Sequence, residues 1–198
     1  MSKKWIIISV ITALFIAFLA WLFIESSKPL PGEKIADLGR GHVPAGTKVE
    51  YNSNPPTSGK HYEEWIRAGV YSEPKDDRNL VHSLEHGYVI LSVKCNPSTA
   101  LGTSVKSEKL EEATASGEAT GSGEFKADDE CRNRLEQLSR IYEKKGKRKL
   151  IVVPRENLET DFALTAWQFL DKFDQFDAGR IEKFIDAHLN QGPEKTME

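Results

Sequence analysis

The chain has 198 residues, a formal net charge of −3 and 29% charged side chains. That balance leaves no basic stripe for a phosphate backbone, so nucleic acid is not an expected partner. Its only methionines are Met1 and Met197 and its only cysteines Cys95 and Cys131, which excludes a methionine-rich copper(I) site and a disulfide-dense scaffold.

From Trp5 to Ile24 the only polar side chains are Ser9 and Thr12. A helix of about 20 residues spans roughly 30 Å, the thickness of a bilayer's hydrocarbon layer. The sequence therefore predicts a transmembrane helix over 5–24 behind a cytoplasmic tail of residues 1–4. A cleaved signal peptide would carry a shorter apolar region, about 7–15 residues, and a small-residue cleavage site. Here Trp21 and Phe23 close the run instead. Lys3 and Lys4 sit against the helix start while Lys28, Lys34 and Arg40 are spread beyond its end, a weak charge bias for orientation. Ser26, Ser27, Pro29, Pro31 and Gly32 make residues 25–34 a tether, and one domain is expected over 35–198.

The start of that domain is rich in Gly and Pro, from Gly39 to Gly59, with a short strand expected at Thr47–Tyr51. His61 opens a helical turn in which Tyr62, Trp65, Ile66 and Val70 share a face, ending at Gly69. After a polar stretch comes Val81-His82-Ser83-Leu84-Glu85-His86-Gly87, leading into an apolar strand through Val93. Two readings of this motif stand open: a short helix from Asn79 capped by Gly87, or an extended segment with His82 and His86 on one face.

Residues 97–130 are acidic, and Ala113–Gly123 is almost entirely Ala, Thr, Ser, Gly and Glu. Such a composition buries too little apolar surface to offset its ordering entropy, and predicts a mobile insertion. Cys95 and Cys131 bracket it: either they form a disulfide clamping its base in an oxidising compartment, or they are two unrelated buried thiols. The disulfide reading, with the lysines at the N-terminus, puts the domain outside the cytoplasm, on a single-pass protein of the cell membrane.

Beyond it the sequence predicts a helix from Cys131 to about Lys145, with Leu135, Leu138, Ile141 and Tyr142 on one face. A strand over Lys149–Val153 ended by Pro154 follows, then a strand over Phe162–Leu170. In the last helix Asp177 is the N-cap, Phe176 and Ile181 form a hydrophobic staple, and Ile181, Phe184, Ile185 and His188 or Leu189 form the buried stripe, with Gly192-Pro193 as the stop. The fold class read from this order is α+β: a small antiparallel or mixed sheet with helices on one side, behind one N-terminal transmembrane helix.

Four of the five histidines, His42, His61, His82 and His86, fall within 45 residues. Neutral imidazoles with a carboxylate are the stock of zinc and copper(II) sites where free thiols are oxidised, and Glu85 is the natural fifth ligand or orienting group. The expected cofactor is therefore a transition metal, copper or zinc. His82-Ser83-Leu84-Glu85-His86 also has the H-x-x-E-H spacing of a class of zinc peptidases, in which Glu85 would be the general base of a metal-dependent hydrolase. No distant third ligand stands out for that chemistry. The bland alternative is that the histidines only bond to loop backbones, leaving a non-catalytic interaction module whose partners are the membrane and another membrane protein. His188, on the buried stripe, is expected to be a core histidine. Ser58 lacks a placed acid and a nucleophile elbow.

Four segments carry a resemblance: Pro-Pro-Thr-Ser-Gly-Lys-His-Tyr at 55–62, Gly69-Val70-Tyr71, Val-His-Ser-Leu-Glu-His-Gly at 81–87, and Gly192-Pro193-Glu194. Together they are similar to a family of membrane-anchored bacterial and archaeal proteins known only as a domain of unknown function, over residues 38 to 194 or so. The resemblance implies one extracytoplasmic domain behind a single transmembrane helix. It aligns the family's recurring histidines with His61, His82, His86 and His42, implying a shared site without naming its occupant. The acidic segment between the cysteines looks like an insertion of this chain or its near relatives.

Overall fold

The computed structural model describes residues 3–26, 29–95 and 128–196, and its chain divides into two units, Met1–Pro31 and Gly32–Glu198. The insertion expected over 97–130 lies almost wholly outside the described residues.

The first unit is helix α1, Lys3–Ser26. Its stretch Lys3–Ile24 has a mean hydropathy of 2.8 and is long and apolar enough to cross a membrane. Ser9 and Thr12 donate their hydroxyls to the carbonyls of Trp5 and Ile8, both at 2.9 Å, so neither presents an unpaired polar atom on an apolar surface.

The second unit is built on a six-stranded mixed sheet: β1 Glu33–Lys34, β2 Gly69–Val70, β3 Val89–Lys94, β4 Leu150–Arg155, β5 Phe162–Ala166 and β6 Phe169–Phe173, in the order β1-β6-β5-β3-β4-β2. Strand β3 runs parallel to β4 and antiparallel to β5. Val89, Leu91 and Val93 pack on one face of the sheet and Ile90 on the other, as the two-residue period requires. Helices α3 (Asp129–Lys144) and α4 (Ala178–His188) cover the first face through Leu138, Ile141, Ile181, Phe184 and Ile185. Helix α2 (Asp77–Glu85) covers the second through Leu80 and Leu84, against Ile151 and Val153. The class is thus α+β with a mixed sheet; the two longer helices share a side, and the histidine-bearing helix stands on the opposite one. Burial on both faces is why β3 and β4 read as unbroken apolar runs.

Each helix among the described residues of this unit is started by an aspartate: Asp76, Asp128 and Asp177 accept from the backbone N–H of Arg78, Cys131 and Arg180. Cys95 and Cys131 form a disulfide with their Cα atoms 4.9 Å apart.

Several local expectations are corrected. Thr47–Tyr51 is not a strand: Thr47 N–H turns back to the carbonyl of Pro44 at 3.1 Å and its own carbonyl accepts from Arg78, leaving no ladder to join. Residues 61–69 are not helical, because their backbone is spent across the chain. Tyr62 N–H donates to Arg78, and Ser83 Oγ takes the N–H of Ile66 at 2.9 Å while donating to its carbonyl at 2.8 Å. Pro154 does not end its strand. The carbonyls of Lys149 and Arg155 face β3, so the nitrogen of Pro154 points the other way, towards β2, whose pairing stops at Val152. Phe162–Leu170 is two strands, β5 and the start of β6, joined at Trp167-Gln168, where Gln168 takes φ 64°. Helix α4 ends at His188, before Gly192-Pro193.

Candidate metal centre

Of the two readings of Val81–Gly87 the helix is the one adopted. His82 and His86 therefore lie one turn apart on the same side, with Glu85 between them in sequence. His86 is the C-cap, and Gly87 leaves the helix at φ 80°, the left-handed conformation that glycine adopts without cost.

The other two histidines come from loops joined by a single parallel bridge. His61 N–H donates to the carbonyl of Gly41 at 3.0 Å and Val43 N–H to that of His61 at 2.8 Å, setting His42 beside His61. Gly59 makes this possible. It sits at φ 123° against the ring of Tyr51, which a Cβ would approach to 3.1 Å.

The ligand atoms of His42, His61, His82 and Glu85 all lie within 4.8 Å of one another. His61, His82 and Glu85 are buried and His42 is exposed, so the cluster opens to solvent on the side of His42. Trp65 packs edge-on against His82 and His86, its ring 5.6 and 5.0 Å from theirs, and screens that flank.

The ring orientations decide which nitrogens are available. Nδ1 of His61 lies 2.8 Å from the carbonyl of Gly59, and Nδ1 of His82 lies 2.8 Å from that of Tyr62. A carbonyl only accepts, so each Nδ1 carries a proton, and in the neutral ring it is Nε2 that offers a lone pair. Bonding to loop backbone, the bland expectation for these rings, therefore occurs without using up the ligating nitrogen. It is the arrangement by which outer hydrogen bonds orient metal-binding imidazoles.

Nε2 of His61, fully buried and with no aligned hydrogen bond, faces Oε2 of Glu85 at 2.9 Å. Nε2 of His82 faces Nε2 of His86 at 3.1 Å. Donors bound about 2.1 Å from one ion at tetrahedral or right angles stand about 3–3.5 Å apart, so both separations are close to the length of such an edge. Burial, then the neighbouring ring of His86, push the pKa of His82 down to about 4 against the smaller opposing pull of the Tyr62 carbonyl, with His61 and His42 adding to the fall. His82 is neutral at physiological pH, the form that binds a metal.

A family profile described as a protein of unknown function, DUF3105, matches residues 42–116 and 125–198. The chain belongs to the DUF3105 family. The matched DUF3105 region begins at His42 itself and takes in His61, His82, Glu85 and His86. No curated protein and no solved structure matches the chain.

Three parts of this DUF3105 site were not singled out by sequence reasoning. Arg40 brings a guanidinium to 3.7 Å from Oε1 of Glu85. Lys149, 2% exposed, donates from Nζ to the carbonyls of His86 and Thr196 and to Asn190 Oδ1. The segment 190–196 folds back on the end of α2. Asn190 N–H donates to the carbonyl of Gly87 at 2.8 Å and Glu194 N–H to that of Glu85 at 3.0 Å. Carbonyls of the last helical turn have no partner within the helix, and here the tail and a lysine supply them. The only sequence signal for this was the Gly192-Pro193-Glu194 motif. His188 lies elsewhere, between the rings of Phe169 and Phe184 at 4.3 and 4.4 Å, on the sheet face opposite α2. Ser58 Oγ accepts from Leu38 N–H at 3.0 Å, a structural contact.

Proposed function

We propose that the chain is a membrane-tethered, extracytoplasmic domain that binds a transition metal, zinc or copper(II), through His42, His61, His82 and Glu85, with His86 alongside. The observation that carries this reading is the pair His61 Nε2 and Glu85 Oε2. A buried ring nitrogen and a carboxylate oxygen stand 2.9 Å apart with no aligned hydrogen bond between them, a separation that a shared cation can span. The donor set agrees, since neutral imidazole and carboxylate suit zinc and copper(II), and the only cysteines are joined to each other. The apolar α1 and the disulfide support the tether and the compartment. Glu85 lies among the ligand atoms, which favours coordination over a role as general base on a metal-bound water.

The test is metal content. Full-length chain purified in detergent without added metal, then dialysed against micromolar Zn2+, is expected to retain zinc by mass spectrometry, and His61→Ala to retain less. Metal-free protein after zinc exposure, or His61→Ala that binds as wild type does, overturns the reading.

A further inference from the structure

Gly192-Pro193-Glu194 has no role in the four-ligand cluster, yet it is built tightly against it. A Cβ on Gly192 would stand 2.2 Å from the carbonyl oxygen of Glu85, so only glycine lets the strap pass. Two residues on, the Glu194 side chain, 55% exposed, places Oε2 3.6 Å from Nε2 of His86. Nε2 of His86 thus lies between Glu194 Oε2 at 3.6 Å and His82 Nε2 at 3.1 Å. These six donors, four imidazoles and two carboxylates, exceed the four that one zinc ion takes. They divide without remainder into two sets of two histidines and one carboxylate.

We propose that the centre holds two cations: a first between His42, His61 and Glu85, and a second between His82, His86 and Glu194. The inference rests on the metal reading above and refines it: His82, counted there with the first ion, passes to the second together with His86 and Glu194. The donor-to-donor separations of 2.9, 3.1 and 3.6 Å each fall inside one set, His61 to Glu85 in the first, His82 to His86 and His86 to Glu194 in the second; the two sets adjoin at His82, whose ring lies 4.8 Å from those of both His42 and His61. Each ion keeps positions for water. The exposed His42 and Glu194 put those positions on the solvent side, where a small oxygen-donor anion such as a carboxylate or phosphate can bridge the two ions.

The experiment is a zinc titration of the full-length chain in detergent against a chromophoric chelator, with wild type, Glu194→Gln and His61→Ala. Two equivalents per chain are expected for wild type. Glu194→Gln, at an exposed side chain that leaves the backbone bond to Glu85 in place, is expected to bind one equivalent with the affinity of the tighter wild-type site or the looser one, but not both. One equivalent in wild type, unchanged in Glu194→Gln, overturns the second site while sustaining the first, and makes His86 a hydrogen-bond donor to His82. No bound zinc in wild type overturns the metal reading and this inference together.

Discussion

Lys149 Nζ donates to the carbonyl of His86 across 2.9 Å, tying the start of β4 to the end of the helix that carries the site. It bonds also to Asn190 and Thr196, so one buried amine holds the helix end and the C-terminal strap in register. Lys149→Met keeps the length and removes the donor, stranding three acceptors. We expect a loss of about 3 kcal/mol by urea unfolding, the scale for charged hydrogen bonds left half-made, with weaker zinc binding in whatever remains folded. Wild-type stability in this variant would mean that the strap is held by other contacts.

Gly192 is required for space. Alanine there meets the Glu85 carbonyl oxygen at 2.2 Å and the Gly87 nitrogen at 2.3 Å, both backbone atoms that cannot rotate away. Gly192→Ala is expected to cost about 3 kcal/mol and to raise amide hydrogen exchange at Glu194, whose N–H would lose the Glu85 carbonyl. Unchanged exchange at that amide would contradict this packing.

Glu85→Gln keeps the shape and removes the charge. With Glu85 as a ligand, zinc affinity should drop at least about tenfold while the fold persists, read by chelator competition and circular dichroism. If zinc is retained and a hydrolytic activity disappears, Glu85 is a base and the peptidase-like spacing is functional.

The metal-free chain should be acid-sensitive in a window set by His82. Its pKa is about 4 in the folded chain and about 6.5 when unfolded, so between these values the unfolded chain binds more protons. The contribution of His82 is fully present above pH 6.5 and is lost as pH falls towards 4. Melting temperature of the apo protein should fall across that window, and His82→Gln should flatten the fall. An equally steep fall in His82→Gln would assign it to other groups.

Cys95 and Cys131, 36 residues apart, close a long loop. Replacing both by serine should cost about 4 kcal/mol in the chain-entropy account. The measurement is a urea midpoint for the double variant against oxidised wild type, and an unchanged midpoint would mean the covalent link constrains nothing that the packing has not already fixed.

The elements that could be read from sequence are those whose signal is local. The apolar span of α1, the aspartate cap of α4 and the apolar run of β3 depend on neighbours in the chain. So does the gathering of four histidines and a glutamate. What sequence did not reveal is decided at a distance. Ile66 is kept out of a helix by Ser83 Oγ, and Lys149 is drawn inside by carbonyls of His86 and Thr196, with no periodicity to mark either. The strap is the plainest case: Glu194 meets His86 only because Gly192 has no side chain.

The Cα atoms of the bridged cysteines, 4.9 Å apart, also have a practical consequence. Polypeptide that leaves the sheet at Cys95 re-enters the fold at Cys131 almost where it left, so the intervening length is not set by the scaffold. A linker, a fluorescent reporter or a purification handle set between Cys95 and Asp128 would therefore begin and end near one another, at cysteines packed on the sheet face that α3 covers rather than the one that carries α2.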